Sequence, residues 1–262
     1  MIFRVFNTMN EEALYISKRF ADLSKQAQRK GIVTFSDFLS LNEQSILQQN
    51  RDKLASDYEM SGGYEYAERQ MVAFIPDALF YEWDYPMKCV RICPAYPKYA
   101  EKLSHRDILG ALMSLGIERS KIGDLIVNDT PDRTDMFFFA EEGITPYILD
   151  MLTSIRHTVV TLEILDDYRI DYVPHFQEKE AIVTSNRLDA VIAAICKISR
   201  SAALRLIQEG KIFVNGAESL HNTYYCKQGD VLSIRGYGKV RFGETLGVTK
   251  KDRIRFSYQL FD

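Results

Sequence analysis

Apolar positions in the first quarter of the chain recur at helical spacing. In NEEALYISKRFADLSKQAQRKG, Leu14, Ile16, Phe20 and Leu23 are on a helical spacing and the run ends at Gly31. TFSDFLSLNEQSILQQNRDKLAS follows, with a start signal at Ser40 and Glu43 three residues on as a capping-box partner. This pattern predicts a helical N-terminal domain over residues 1–68. Gly62 and Gly63, followed by Tyr64 and Tyr66, then break it. Two readings stand for that double glycine: a plain turn, or a point where the backbone approaches a ligand.

From about Met71 the period changes. KCVRICPAY, IGDLIVND, DMFFFAEE and TVVTLEIL read as strands, the middle two separated by the turn-rich DTPDRT. SHRDILGALMSLG is a helix capped by Ser104 and stopped by Gly116. TPYILDMLTSI is a second helix, with Thr145 as its N-cap and Pro146 at its first position. MVAFIPDALF ahead of them is a further strand candidate. The order β-α-β-β-α-β predicts a ferredoxin-like, RNA-recognition-motif-like domain over residues 69–170. That topology also serves enzymes and regulators, so it decides no function. Phe137, Phe138 and Phe139 lie where such domains stack bases, but they lack the basic lead-in and are followed by acidic residues, which favours packing.

DDYRIDYVPHFQEKE is polar and without apolar periodicity, and residues 171–182 read as a linker. The third domain, residues 183–262, opens with two short helices. Asn186 is the expected cap of the first, with Asp189 at its third position and Leu188, Val191, Ile192 and Ile195 as the core stripe. Ser199 caps the second, with Ala203, Leu206 and Ile207 inward and Gly210 ending it. KIFVNG is a strand entering an Asn215-Gly216 turn, and GDVLSIRGYGKVRFGE supplies two more strands. The fold class expected is therefore α+β in three parts.

Composition narrows the classes. The chain has 262 residues, 46% hydrophobic and 26% charged, as in ordinary globular proteins. No apolar run approaches a membrane span, and the N-terminal stretch lacks the pattern of a secretion signal. Four cysteines, with only Cys89 and Cys93 close together and no histidine beside them, suit a reducing cytoplasm and do not match zinc spacing. The net charge of -3 hides an asymmetry: from Ser185 onward there are 13 Lys and Arg against 7 Asp and Glu, and the remainder of the chain carries the acidic excess. A basic module on an acidic body is the compositional mark of a nucleic-acid-binding domain. Within it, Arg200 is read into the first turn of one helix and Arg187 opens the helix before. Both lie near a positive dipole end, where a cation costs a few tenths of a kcal/mol. Two such arginines suggest a positive surface kept for an external anion. Arg187, Arg200, Arg205 and Lys211 can present cations to phosphates, and the Ser199 helix start offers free N–H groups. Arg205 can alternatively pair with Glu209 one turn on. Asp189 reads as a cap rather than a catalyst.

RLDAVIAAICKISRSAALRLIQEGKIFVNG followed by GDVLSIRGYGKVRF resembles an S4 RNA-binding domain. The matching elements are Arg187-Leu188-Asp189, Ser199-Arg200-Ser201, Leu206-Ile207, Gly210-Lys211, Val214-Asn215-Gly216, Gly229-Asp230 and Arg235-Gly236. The resemblance implies an RNA-binding face on the two helices and the turn after them. Arg187, Ser199, Arg200, Ser201, Arg205, Lys211, Asn215, Arg235 and Lys239 are the expected RNA-binding residues. With GGYEYAERQMVAFIP and HRDILGALMSLGIERSKIGDLIVND in the same order, essentially the whole chain resembles the YlmH family of bacterial S4-domain proteins. That resemblance implies a non-catalytic cytoplasmic protein, without metal or cofactor, that binds rRNA of the large ribosomal subunit. Its implied role is ribosome-associated quality control, with peptidyl-tRNA as a further partner and neither membrane nor DNA.

Rival readings are an assembly or stress-related RNA binder, an RNA-independent scaffold in cell division, and an RNA-modifying enzyme. RLD also opens the catalytic motif of pseudouridine synthases, but here it continues as AVIAAI, a buried helix, and no G-x-S-x-G, H-E-x-x-H or P-loop is present. In the middle domain, His105, Arg106, Arg119 and Lys121 could contact RNA, but a helix start and its solvated end explain them more simply.

Overall fold

The computed structural model describes residues 2–129, 134–166, 170, 172, 174, 176–219 and 222–261. The chain divides into two compact units, Met1–Tyr172 and Val173–Asp262.

The N-terminal unit begins with helix α1 (Ile2–Lys30), strand β1 (Thr34–Phe35), helix α2 (Leu41–Gln49), and strands β2 (Asp57–Ser61) and β3 (Met71–Ile75). Ser40 and Glu43 form the expected capping box of α2. The wholly helical reading of residues 1–68 is corrected: β1, β3 and β2 form a three-stranded antiparallel sheet in that order. The cause is long-range. β3 is buried almost throughout and must satisfy its backbone on both edges, which recruits Thr34–Phe35 on one side and Asp57–Ser61 on the other. MVAFI therefore completes this small sheet and not the one after it. Phe20 and Ala27 of α1 pack on Val72 and Phe74.

The same unit continues with β4 (Met87–Pro94), α3 (His105–Ser114), β5 (Ile122–Asp129), β6 (Thr134–Glu141), α4 (Thr145–Met151), β7 (Ser154–Ile155) and β8 (Thr158–Leu165). The five strands form an antiparallel sheet ordered β5-β6-β4-β8-β7. Val90, Ile92, Met136 and Phe138 face Ile108 and Leu112 of α3 and Ile148 of α4. The N-cap of α4 is Ile144, not Thr145. Thr145 is already helical, and its hydroxyl donates back to the Glu141 carbonyl at 2.8 Å.

The C-terminal unit comprises β9 (Phe176–Val183), α5 (Leu188–Cys196), α6 (Arg200–Gln208), β10 (Ile212–Val214), β11 (Ala217–Glu218), β12 (Val231–Ile234), β13 (Gly238–Val248) and β14 (Ile254–Phe261). Its sheet is ordered β11-β10-β12-β13-β14-β9. The linker expected over residues 171–182 is corrected where it is described: Phe176–Val183 pairs with β14 along its whole length. Its polar side chains hid it, because an edge strand held by backbone bonds needs no apolar alternation. One face of this sheet, with Ile212, Leu232, Ile234, Val240, Phe242 and Phe256, packs on Leu188, Val191 and Ile192 of α5 and Ala203 and Ile207 of α6.

Candidate nucleic-acid interface

The two short helices of the C-terminal unit are positioned by one buried carboxylate. Arg187, not Asn186, is the N-cap of α5, and its carbonyl accepts from Ala190 and Val191 N–H. Asn186 instead uses its carbonyl to accept Cys226 N–H at 2.8 Å, and its Oδ1 is buried with no partner among the described residues. Asp189 is 2% exposed. Its Oδ1 accepts from Arg187 Nε at 3.1 Å, and its Oδ2 accepts from Arg200 Nε at 3.2 Å and Nη2 at 2.6 Å. Burial pushes the Asp189 carboxyl up, but the hydrogen bonds from Arg200 and Arg187 outweigh it and hold the group below the usual carboxylate range.

This pairing supplies what the sequence left unexplained. The dipole cost of Arg200 at the start of α6 is offset by the Asp189 carboxylate beside it, while Asp189 suits the start of its own helix. Two guanidinium groups against one carboxylate leave a net positive charge at adjoining helix starts. The Arg187 and Arg200 side chains are 32% and 53% exposed. No acceptor among the described residues engages Arg200 Nη1 or either Nη of Arg187. Ser199 accepts from Ala202 N–H at 3.2 Å and shares a 2.9 Å hydroxyl contact with Ser201, both serines being exposed.

The remaining expected residues fall into different settings. Arg205 is exposed on α6, and the alternative pairing with Glu209 forms no side-chain hydrogen bond or ion pair. Glu209 instead takes Lys211 Nζ at 2.8 Å, which holds its carboxyl below the usual range. Asn215 is tied inside: at φ 49° it forms the β10–β11 turn with Gly216. Its Nδ2 donates to Asp230 Oδ1 at 2.9 Å and its Oδ1 accepts from Val231 N–H at 2.8 Å. Asp230 also accepts the Tyr224 hydroxyl and Lys227 N–H. Arg235 N–H donates to the Lys211 carbonyl, which sets these two cations near each other. Arg235 lies over the Phe213 ring at 5.2 Å, and Lys239 over Phe261 at 5.8 Å. Arg187, Ser199, Arg200 and Ser201 thus cluster at the helix starts, whereas Arg235 and Lys239 accompany the sheet.

In the N-terminal unit the three phenylalanines serve packing. Phe138 faces the helices, and Phe139 lies on the opposite face under Tyr64, with ring centroids 5.7 Å apart and planes 7° from parallel. The Gly62-Gly63 turn permits this: Gly63 has φ 89°, and a Cβ there would meet the Phe139 ring at 2.2 Å. Tyr64 then donates to Asp124, which also accepts Glu68 and Arg69 N–H. Arg69 and Arg119 both donate to the Ile122 carbonyl. Burial first, then the neighbouring Arg69 charge, lowers Arg119 to about 10. Lys121 bridges Asp37 and Glu141. His105 and Arg106 remain exposed at the start of α3. Burial pushes the thiols of Cys89 and Cys226 up to about 12.

A family model described as "Putative RNA-binding domain in YlmH" matches residues 81–168. "Ribosome-associated protein quality control protein P2" of Bacillus subtilis (strain 168) is 31% identical over 230 residues, 86% of each chain. The chain belongs to the YlmH family. Among solved structures, "Cell division protein ylmH from Streptococcus pneumoniae" is 22% identical with a TM-score of 0.47, covering 59% of this chain and 91% of that one. The YlmH family model covers the middle of the chain, outside the RNA-binding residues expected from the S4 resemblance. Among the described residues there, the most exposed aromatic side chains are Tyr96 and Tyr99, 65% and 79% exposed, on the turn after β4. Tyr99 N–H bonds the Tyr96 carbonyl across a single 3₁₀ turn, and Lys98 lies over the Tyr99 ring at 6.0 Å. The stretch AYPKYAEK carried that signal as aromatics interleaved with lysines.

Proposed function

We propose that this chain is a non-catalytic, cytoplasmic RNA-binding protein. It contacts rRNA of the large ribosomal subunit, and peptidyl-tRNA held there, during ribosome-associated quality control of stalled nascent chains. In this reading the middle domain is ferredoxin-like and the C-terminal unit is an S4 RNA-binding domain. The observation that carries it is the Arg187–Asp189–Arg200 arrangement: a buried carboxylate holds two guanidinium groups by their inner N–H groups and leaves outer ones for a phosphate. The name of the Bacillus relative supports the ribosomal setting, and the description of the family model supports RNA as the ligand. Exposed Tyr96 and Tyr99 give the middle domain a place to stack unpaired bases. The same arrangement argues against a pseudouridine-synthase role for Asp189, since a carboxylate this buried and doubly paired has no open side for a substrate.

The test is to recover tagged protein from cells at low salt and identify the particle and RNA that accompany it. Large subunits carrying peptidyl-tRNA, without small subunits, are the expected result. Immature subunits would shift the reading to an assembly factor, and absence of RNA would overturn it. In vitro, Arg200→Ala is expected to reduce the slope of log affinity against log salt by about 0.9 for each duplex phosphate it ceases to neutralise.

A further inference from the structure

The outer face of the six-stranded sheet, turned away from α5 and α6, carries a second set of cations and rings. Alternation along the strands places Phe213, Ser233, Lys239, Phe261 and Phe176 in one registered row across β10, β12, β13, β14 and β9. Their neighbours along each strand, Ile212, Val214, Ile234, Val240 and Leu260, point into the core or pack against it. Over this row lie three cations. Arg235 is 5.2 Å from the Phe213 centroid, and Lys239 and Arg241 are 5.8 and 5.3 Å from that of Phe261. Phe176 adds a ring 6.5 Å from Phe261. At about 4.8 Å between strands, the Phe213 and Phe261 platforms stand roughly 14 Å apart. The carboxylates in register with this row or beside it, Glu218 on β11 and Glu178 and Glu180 on β9, lie on the two edge strands, and Glu180 pairs with Arg255.

We infer that this sheet face is a second RNA-binding surface, one that takes an unpaired RNA strand. It rests on the RNA-binding reading above and adds a site apart from the helix starts. An arginine seated on a ring is restrained over the sheet and keeps its charge. A guanidinium held in this way offers its outer side to a base and its N–H edge to a phosphate, and half-buried phenylalanines at its flanks extend the stacking platform. Separate platforms with cations between them suit a flexible single strand, whose successive bases can reach each one. The helix-start cluster, a compact pair of guanidinium groups on one carboxylate with Tyr225 bridged to Arg187, suits the backbone of a folded RNA.

The experiment uses the full chain and two fluorescent probes, an unstructured 12-nucleotide oligouridylate and a stem–loop RNA, titrated by anisotropy at several salt concentrations. Arg235→Gln/Arg241→Gln is expected to weaken oligouridylate binding on the order of tenfold and to lower its salt slope by about 0.7 for each phosphate left without its cation. Stem–loop binding is expected to change by less than about twofold. Arg235→Lys/Arg241→Lys, which keeps charge but not the planar group, is expected to recover the slope and only part of the affinity. Arg200→Ala is expected to do the reverse, affecting the stem–loop. Unchanged oligouridylate affinity and slope in the Gln variant, with a native circular dichroism spectrum, would overturn the second surface. Failure to bind both probes only in Arg200→Ala would also overturn it while leaving the helix-start site intact. Failure of the wild-type chain to bind either probe would overturn the RNA-binding reading itself, and this inference with it.

Discussion

Asp189→Asn tests the electrostatic centre of the C-terminal unit directly. The substitution is nearly isosteric and keeps an acceptor, but it removes the charge that two guanidinium groups share. With charge centres about 4 Å apart and an effective dielectric near 20, each pair is worth about 4 kcal/mol before desolvation of the buried carboxylate is subtracted. The arginines are a third and a half exposed, so water screens a good part of that sum. A net destabilisation of about 2–3 kcal/mol is expected, including the repulsion left between Arg187 and Arg200. The only tryptophan, Trp83, lies in the N-terminal unit, so its fluorescence is not the direct reading of this destabilisation. Amide hydrogen exchange in α5 and α6 does report it, and a change of that size speeds exchange by about 30- to 150-fold. The sign with pH is fixed by the depressed carboxyl. Its contribution is fully present above the unfolded value of about 4 and is lost as pH falls through the folded value. The gap between wild type and Asp189→Asn is therefore expected to be full at pH 7 and to close below about pH 4. A change in exchange under threefold at pH 7, or a gap that widens in acid, would refute the assignment.

Three further outcomes are expected. Gly63→Ala forces a Cβ into the Phe139 ring at a positive φ, and should cost about 2–4 kcal/mol in the N-terminal unit, read from urea unfolding by Trp83 fluorescence; a neutral result would mean that the Tyr64–Phe139 stack does not hold this turn. Asn215→Ala strands Val231 N–H and removes one donor from buried Asp230. It should cost about 2–3 kcal/mol, seen as faster exchange in β10 and β12, with RNA affinity unchanged at temperatures where the unit stays folded. Tyr96→Ala/Tyr99→Ala should weaken RNA binding about tenfold while shifting the melting temperature by no more than about 2 °C, since both rings are exposed; equal binding by the variant would remove them from the interface.

Much of this protein is written locally in its sequence. The capping boxes at Ser40–Glu43 and Ser104–Asp107, the Ser199 cap and the Asn215-Gly216 turn need only residues a few positions apart, and the structure forms each of them. The apolar stripe of α5 likewise marks its buried residues. These features are legible because caps, turns and amphipathic periods are short-range physics. Tertiary structure decided the rest. Phe176–Val183 is a strand because β14 offers it an edge, and Thr34–Phe35 is one because β3 must satisfy its backbone. The Arg187 and Arg200 signal is visible in the sequence, but not its partner: Asp189 lies eleven residues from Arg200 and has the look of a helix cap. The rings on which Arg235, Lys239 and Arg241 sit are invisible for the same reason, since Phe213 and Phe261 meet them only across strand register. Local patterns fix which elements a segment can form, while hydrogen-bond partners and countercharges belong to whatever the fold brings within a few ångströms.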